Sequence, residues 1–273
     1  MTSELDKFRM DGRVAIVTGG AGLLGAEFCR TLADAGATVI VADLDVAKAE
    51  NVAAGLRASG GKVSGLALDV TRPESVSKAV DRIRSDHGRV DVLVNSAALD
   101  PKFDAAHHEK AVNAFEDYPL EMWNQALAVN LTGMFLCSQA VSRPMLEQGR
   151  GVIINICSTY GLVGPDQRIY ERPGKPRQFK PVYYSVTKAG VLGMTRYLAT
   201  YFAGTGLRVN ALTPGGVFND HDDEFVAHYS ARTVLGRMAR RDEMNGALLF
   251  LASDASSYMT GSNLVVDGGW TAW

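Results

Sequence analysis

Short runs rich in β-branched residues recur along this chain, and stretches with apolar residues at helical spacing separate them. The runs are VAIVT (14–18), TVIVA (38–42), VSGLAL (63–68), VDVLV (90–94), VIINI (152–156), LRVNALT (207–213) and NLVV (263–266). Helical spacing covers 22–36, an Ala-rich stretch to Ser59, a segment that Pro73 opens at its first turn, and then 119–149, 182–204 and 241–252. Strands without regular polar alternation need cover on both faces, and strand–helix alternation builds a parallel sheet. The expected fold class is α/β: a single doubly wound parallel sheet with helices on both faces. No linker, repeat or low-complexity tract breaks the pattern, so residues 1–273 are expected to form one domain. Such sheets bind ligands beyond the carboxyl ends of their strands, which directs attention to the residues after each strand.

Composition narrows the function classes. A net charge of −2 leaves no basic field for nucleic acid or a membrane surface. The N-terminus, MTSELDKFRMDGR, lacks a signal-peptide core, and no apolar run is long enough to span a bilayer. A cytoplasmic location is expected. Cys29, Cys137 and Cys157 are far apart and form no CxxC pair, so they read as buried small hydrophobes in a reducing compartment. His107-His108-Glu109 lacks the spacing of a metalloprotease site, and His221-Asp222-Asp223-Glu224 reads as a solvated helix start. No catalytic metal is expected.

Thr18-Gly19-Gly20-Ala21-Gly22-Leu23-Leu24-Gly25 follows the first strand and opens the first helix. Glycines let the backbone turn sharply and approach a pyrophosphate, and the free N–H groups of a helix start attract anions. Gly20-x-Gly22-x-x-Gly25 fits the dinucleotide fingerprint in its strand–turn–helix context, which makes the expected sheet a Rossmann fold. Asp43 ends the second strand, 18 residues after Gly25. A carboxylate there accepts hydrogen bonds from the adenosine ribose and repels a 2′-phosphate, and no basic residue stands beside it before Lys48. The alternative is a cap for the next helix. Position and spacing favour the ribose role, and NAD over NADP.

With these residues in view, the chain resembles the short-chain dehydrogenase/reductase family from Gly12 to the C-terminus. Asn95-Ser96-Ala97-Ala98 stands where the family has Asn-Asn-Ala-Gly. Asn130 lies in AVNLTG, Ser158 in NICSTYG, and Tyr184 with Lys188 makes YxxxK. Thr213-Pro214-Gly215-Gly216-Val217 matches the loop that flanks the nicotinamide, and DGG at 267–269 the terminal signature. The resemblance implies catalytic roles for Ser158, Tyr184, Lys188 and Asn130. It also implies cofactor contacts. Gly19, Gly22, Leu23, Leu24 and Gly25 would meet the pyrophosphate side. Asp43, Leu44, Asp69 and Val70 would meet the adenosine. Asn95, Ser96 and Ala97 would line the crevice, and Tyr184, Lys188, Pro214, Gly215 and Val217 would complete it. One departure stands out: the compact branch of the family reads TGxxxGxG, which would put glycine where Leu23 stands. TGxxGxxG is the spacing of the extended branch, which includes nucleotide-sugar epimerases. Length, the single domain and the DGG ending favour the compact branch.

Tyr184 and Lys188 are i and i+4, so they share one helix face. A phenol with a pKa of about 10 is a poor base at neutral pH, and a nearby ammonium with a cationic nicotinamide favours its phenolate. Tyr184 can then remove the alcohol proton as hydride leaves, or return it in the reverse direction. Ser158 would hold the substrate oxygen, and by the resemblance Asn130 would bind a water that contacts Lys188. Tyr183 has Thr187 rather than a cation at i+4 and reads as packing.

Ser158 and Tyr184 lie 26 residues apart, a wider gap than many family members have. The extra residues form an inserted substrate loop, 162–182. It holds Arg168, Arg172, Lys175, Arg177 and Lys180 against Asp166 and Glu171, and Pro165, Pro173, Pro176 and Pro181 argue against a helix. It is expected to cover a polar, anionic, sugar-like substrate, with Gln167, Arg168 and Tyr170 joining Ser158 and Tyr184 in contact. The alternative is a solvated or subunit-facing loop. Residues 215–240 are expected to form a substrate lid. This loop, PGGVFN and the WTAW ending resemble gluconate-5-dehydrogenase-like and legionaminic-acid-pathway enzymes. The expected function is an NAD(H)-dependent oxidoreductase that interconverts a secondary alcohol and a ketone on a sugar-like substrate. One alternative is 3-oxoacyl thioester reduction, which usually goes with NADPH. Another is non-catalytic dinucleotide sensing, which often goes with loss of the Tyr or Lys. A homotetramer is implied by the resemblance, and the apolar WTAW end suits burial at an interface.

Overall fold

The computed structural model describes residues 3–100 and 113–273. The strands are β1 (Val14–Thr18), β2 (Thr38–Asp43), β3 (Lys62–Ala67), β4 (Val92–Asn95), β5 (Gly151–Ile156), β6 (Leu207–Pro214) and β7 (Asn263–Val266). They form one parallel sheet in the order β3-β2-β1-β4-β5-β6-β7. The order reverses between β1 and β4, which opens a crevice at their carboxyl ends. The helices are α1 (Leu23–Asp34), α2 (Val46–Ala58), α3 (Pro73–His87), α4 (Leu120–Leu127), α5 (Met134–Glu147), α6 (Val182–Tyr201), α7 (Asp223–Ser230) and α8 (Asn245–Ala252). The expected doubly wound Rossmann architecture is what forms.

Successive strand residues point to opposite faces, so each strand feeds two cores. Ala15, Val17, Val39, Val41, Val92 and Val94 pack on one side against Phe28 and Leu32 of α1, Ala49 and Ala53 of α2, and Leu248 and Leu251 of α8. Val14, Ile16, Ile40, Leu93 and Ile153 pack on the other against Val80 and Ile83 of α3 and Val141 and Met145 of α5. Fully burying a Val or Ile side chain contributes about 1.5–3 kcal/mol, so both faces of the sheet stabilise it.

Three of the differences from the sequence reading are informative. The strand expected from residue 90 begins at Val92. Asp91, almost fully buried, instead turns its carboxylate to the start of β1. It accepts the Val14 N–H at 2.8 Å and is gripped by Arg89 at 2.6 and 2.7 Å. The helix expected over 119–149 is broken by a π-helical turn, Ala128–Gly133, between α4 and α5. The wider turn brings Asn130 into the interior. Gly133 is required there, because a Cβ on it would lie 2.6 Å from Val70 Cγ2. The helix expected over 241–252 starts as a 3₁₀ turn, Arg241–Met244, before α8. Among the described residues no helix is long and apolar enough to cross a membrane.

A buried polar chain crosses the middle of the sheet. Asn95 Nδ2 donates to Ser138 Oγ at 3.0 Å and to Asn155 Oδ1 at 2.8 Å, and Asn155 Nδ2 donates to Thr195 Oγ1 at 3.0 Å. It ties β4 and β5 to α5 and α6. An Asn155→Ala change leaves buried partners unsatisfied, so it is expected to cost about 1–3 kcal/mol. Urea unfolding should show a lower midpoint with an unchanged slope.

Candidate active site

The turn after β1 is closed by a hydrogen bond from Gly22 N–H to Gly19 O at 3.0 Å. Gly19 has φ +62, and a Cβ on it would lie 2.8 Å from Ala97 Cα, so both conformation and space call for glycine. Leu23 is the first residue of α1 and Gly22 its N-cap, so the unusual glycine spacing places the turn one residue early without breaking the helix start. The first intrahelical bond runs from Ala26 N–H to Gly22 O at 3.0 Å. The N–H groups of Leu23, Leu24 and Gly25 therefore precede the helical ladder, and Gly22 has no side chain to cap them. A glycine-rich turn ending in uncapped N–H groups fits a dinucleotide pyrophosphate.

The other strand ends surround this turn. Asp43 Oδ2 accepts the Ala21 N–H at 3.0 Å and Oδ1 accepts the Asp45 N–H at 3.1 Å, which braces the carboxylate at the crevice. The cap of α2 is Asp45, not Asp43. The cation noted nearby, Lys48, pairs with Asp45 at 3.2 Å. Leu44 is exposed beside them. Asp69 Oδ1 accepts from both the N–H and the hydroxyl of Thr71, at 2.9 and 2.6 Å, and Val70 is buried under the π turn. Ser96 and Ala97 donate their N–H groups to Thr18 Oγ1 at 3.1 and 3.2 Å. Asn95 differs: its side-chain nitrogen is committed to the buried chain above, and its Oδ1 is buried without a hydrogen-bond partner.

Ser158, Tyr184 and Lys188 converge at the end of β5. Ser158 Oγ accepts the Tyr160 N–H at 3.3 Å and stands near the Tyr184 phenol. Lys188 is buried, lies 5.8 Å from the Tyr184 ring centroid, and donates to Ile156 O at 2.8 Å. Cys157, also buried, lies with its sulfur 3.2 Å from Lys188 O. Burial pushes the Tyr184 phenol well above its ordinary pKa, the Asp100 carboxylate adds to this, and the nearby Ser158 hydroxyl opposes it. Burial lowers Lys188. Asn130 Oδ1 accepts the Leu99 N–H at 2.7 Å, and its Nδ2 donates to Leu99 O and Thr187 Oγ1, both at 3.2 Å. Asn130 thus pins the segment after β4 to α6, and its hydrogen bonds reach the neighbour of Lys188. Tyr183 is buried against Tyr118, 6.1 Å between ring centroids.

The inserted loop contains a short 3₁₀ turn, Gln167–Tyr170, which the prolines had argued against. It fits between Pro165 and Pro173, and Asp166 caps it through the Arg168 N–H at 3.0 Å. Tyr170 is buried with its hydroxyl donating to Tyr160 Oη at 3.1 Å. Arg168 folds back on Asp166 at 2.7 and 2.8 Å, and Arg232 also reaches that carboxylate. Arg172 pairs with Asp222 at 2.8 Å, and Arg177 with Glu171 at 2.8 Å. Gln167 holds the Lys180 backbone, and Lys180 pairs with Asp100 at 2.5 Å. Sequence reasoning passed over Asp100 and counted Lys180 only among the cations of the loop. The only signal was the position of Lys180, four residues before Tyr184, in a stretch full of other cations.

The segment after β6 folds over this region. Gly215 N–H donates to Val266 O at 2.9 Å, and Gly216 N–H donates to the Tyr229 hydroxyl. Val217 pairs with Ala239, and Pro214 is the buried last residue of β6. Tyr229 of α7 stacks on Trp270 at 4.3 Å. Asp222 caps α7 through the Phe225 N–H at 2.9 Å, and His221 stacks on Phe225 at 4.9 Å. The His221 cluster is therefore a helix start. His107-His108-Glu109 lies outside the described residues.

Comparison with known proteins is consistent with this geometry. A family model described as enoyl-(acyl carrier protein) reductase matches residues 20–271. D-threitol dehydrogenase of Mycolicibacterium smegmatis is 38% identical over 269 residues, covering 97% of this chain and 95% of that protein. Cis-4-hydroxycyclohexanecarboxylate dehydrogenase of Sinomonas cyclohexanicum is 38% identical over 265 residues, covering 95% and 97%. The crystal structure of a gluconate 5-dehydrogenase from Burkholderia cenocepacia, in complex with NADP and tartrate, superposes with a TM-score of 0.87. It is 31% identical, with 99% of this chain and 100% of that chain covered.

The glycine turn yields a test of sign. Inside a helix, alanine is favoured over glycine by about 1 kcal/mol. At Gly25 a Cβ would press into the Gly19 carbonyl oxygen and the turn would have to open. Gly25→Ala is therefore expected to lower the thermal midpoint and to abolish dinucleotide binding in a fluorescence titration.

Proposed function

Because the chain belongs to the short-chain dehydrogenase/reductase family, we propose that it interconverts a secondary alcohol and a ketone on a polyol or sugar-like substrate, with NAD(H) as its cofactor. The observation that carries the reading is the convergence of Ser158, Tyr184 and Lys188 beside the glycine turn. A bound nicotinamide dinucleotide supplies the hydride acceptor or donor. The residues of the chain handle the proton and the oxygen. Ser158 holds the substrate oxygen by a hydrogen bond and keeps it beside the Tyr184 hydroxyl. Tyr184 takes the alcohol proton during oxidation and returns it during reduction. The Lys188 ammonium stabilises the phenolate so formed, and Asn130 keeps α6 and the Leu99 segment in register around them.

Burial holds Tyr184 protonated in the free protein, so the positive charges around it matter for making it a base. NAD is favoured over NADP by Asp43, whose braced carboxylate would repel a 2′-phosphate while Lys48, five residues on, is paired with Asp45. A hydroxyl-rich substrate is supported by the relatives named for threitol and gluconate, and a secondary alcohol by the one named for hydroxycyclohexanecarboxylate. Ion pairing of Arg168, Arg172, Arg177 and Lys180 favours hydroxyl recognition over binding of several negative charges. In this reading 162–182 and the lid 215–240 frame the substrate, with Gln167, Arg168 and Tyr170 shaping the loop. A cytoplasmic homotetramer belongs to the same reading. It is supported by the unpaired thiols of Cys29, Cys137 and Cys157 and by exposed Leu235 and Trp273.

Turnover of NAD with polyols and sugar acids, followed by absorbance of the reduced nicotinamide, tests the reading. Silence across both classes in both directions would remove it. Tyr184→Phe is expected to lower kcat by about 10²–10⁴-fold while dinucleotide affinity stays near wild type. Asp43→Asn is expected to raise kcat/KM for NADP relative to NAD by about tenfold, equivalent to ~1.4 kcal/mol of relieved repulsion. Steady-state kinetics with each cofactor checks it.

A further inference from the structure

Lys180 belongs to none of the motifs that mark the site, yet the inserted loop is built around it. A single side chain clamps its backbone: Gln167 Oε1 accepts the Lys180 N–H at 2.8 Å, and Gln167 Nε2 donates to the Lys180 carbonyl at 3.2 Å. Pro181 follows at once as the N-cap of α6. The Lys180 side chain is 9% exposed, and its ammonium lies 2.5 Å from Asp100 Oδ1. That ammonium also sits 4.1 Å from the centroid of the Tyr184 ring, whereas Lys188 Nζ is 5.8 Å from it. The cation nearer the phenol ring comes from the loop, not from YxxxK.

We propose that Lys180 is a positioning residue for the acid–base step: its ammonium, seated on the Tyr184 ring, stabilises the phenolate, and Asp100 tempers that effect. The proposal rests on Tyr184 being the acid–base group. A cation over an aromatic face attracts a neutral phenol through the ring quadrupole. It attracts the full charge of a phenolate more strongly, and the difference favours ionisation.

The groups that face Tyr184 come from several elements. Lys188 and Tyr183 share its helix. Cys157, Ser158 and Tyr160 come from the end of β5, with the Tyr160 ring 6.4 Å away in edge contact. Tyr170 and Lys180 come from the loop, and Asp100 from the segment after β4. His221, before α7, faces the Asp100–Lys180 pair, and burial lowers its imidazole pKa. Positive charge therefore reaches Tyr184 from Lys180 and Lys188, and opposing negative charge from Asp100. The loop, the β4 segment and α6 meet where the Lys180–Asp100 pair lies against the Tyr184 ring.

The test is the pH dependence of kcat/KM for alcohol oxidation in the full-length enzyme and in Lys180→Met, Lys180→Arg and Asp100→Asn. In this direction the phenolate is the base, so the rate rises with pH through the apparent pKa of the phenol. Lys180→Met is expected to move that midpoint up by about one pH unit. Lys180→Arg should leave it near wild type. Asp100→Asn removes the opposing charge and should move it down. Loop damage alone would lower kcat without moving the midpoint in opposite directions for the two charge removals. Unmoved midpoints in both Lys180→Met and Asp100→Asn overturn the proposal. Tyr184→Phe keeps the two levels apart. If that variant turns over normally, the acid–base assignment itself falls. If it is inactive while the midpoints stay put, only the role of Lys180 falls.

Discussion

The carboxyl edge of this sheet depends on one hydroxyl at the place where the strand order reverses. Thr18 Oγ1 accepts the N–H groups of Ser96 and Ala97 and donates to Val94 O at 3.4 Å. It joins the glycine turn after β1 to the segment after β4, and Gly19 lets the two backbones touch. From there the coupling continues by direct contact. The β4 segment is held at Leu99 by Asn130, Asn130 reaches Thr187, and Thr187 lies between Tyr184 and Lys188 on α6. The glycine turn and the α6 residues Tyr184 and Lys188 are thus parts of one braced unit.

Electrostatics around that unit balance burial against charge. Desolvation holds the Tyr184 phenol in its neutral form, and the same burial weakens the hold of Lys188 on its proton. Neither residue is poised by itself. The ion pairs of the loop add little to stability where they are exposed to water. Their effect is geometric: Asp166 gathers Arg168 and Arg232, and Arg172 fastens the loop to the start of α7 through Asp222. The inserted loop and the segment after β6 are consequently tied to each other.

The legible and illegible parts of this molecule separate by the kind of signal each leaves. The sheet could be read because apolar strands of five or six residues announce double-sided burial, as VAIVT and GVIINI do. Tyr184 and Lys188 could be read because a helix turns i and i+4 into neighbours. Asp43 left two options, ribose ligand or helix cap, and the second belongs to Asp45 two residues later. The π turn left no mark, because apolar spacing runs through 119–149 without interruption. Gln167 was the right residue type for binding hydroxyls, but its amide is occupied by the Lys180 backbone. Asp100 and Lys180 meet across a separation of 80 positions, and periodicity carries no information about such a meeting.

The π turn at Ala128–Gly133 also makes the length of its segment matter. An α-helix advances about 100° per residue. Removing one residue to restore a regular helix would therefore rotate everything on one side of the deletion by about that angle. Either Asn130 would keep its grip on Leu99 and Thr187, or Cys137, Val141 and Met145 would keep facing the sheet. Both could not be kept. The wide turn acts as a phase shifter between a functional face and a packing face, so a substitution in this stretch is a milder disturbance than a change in its length.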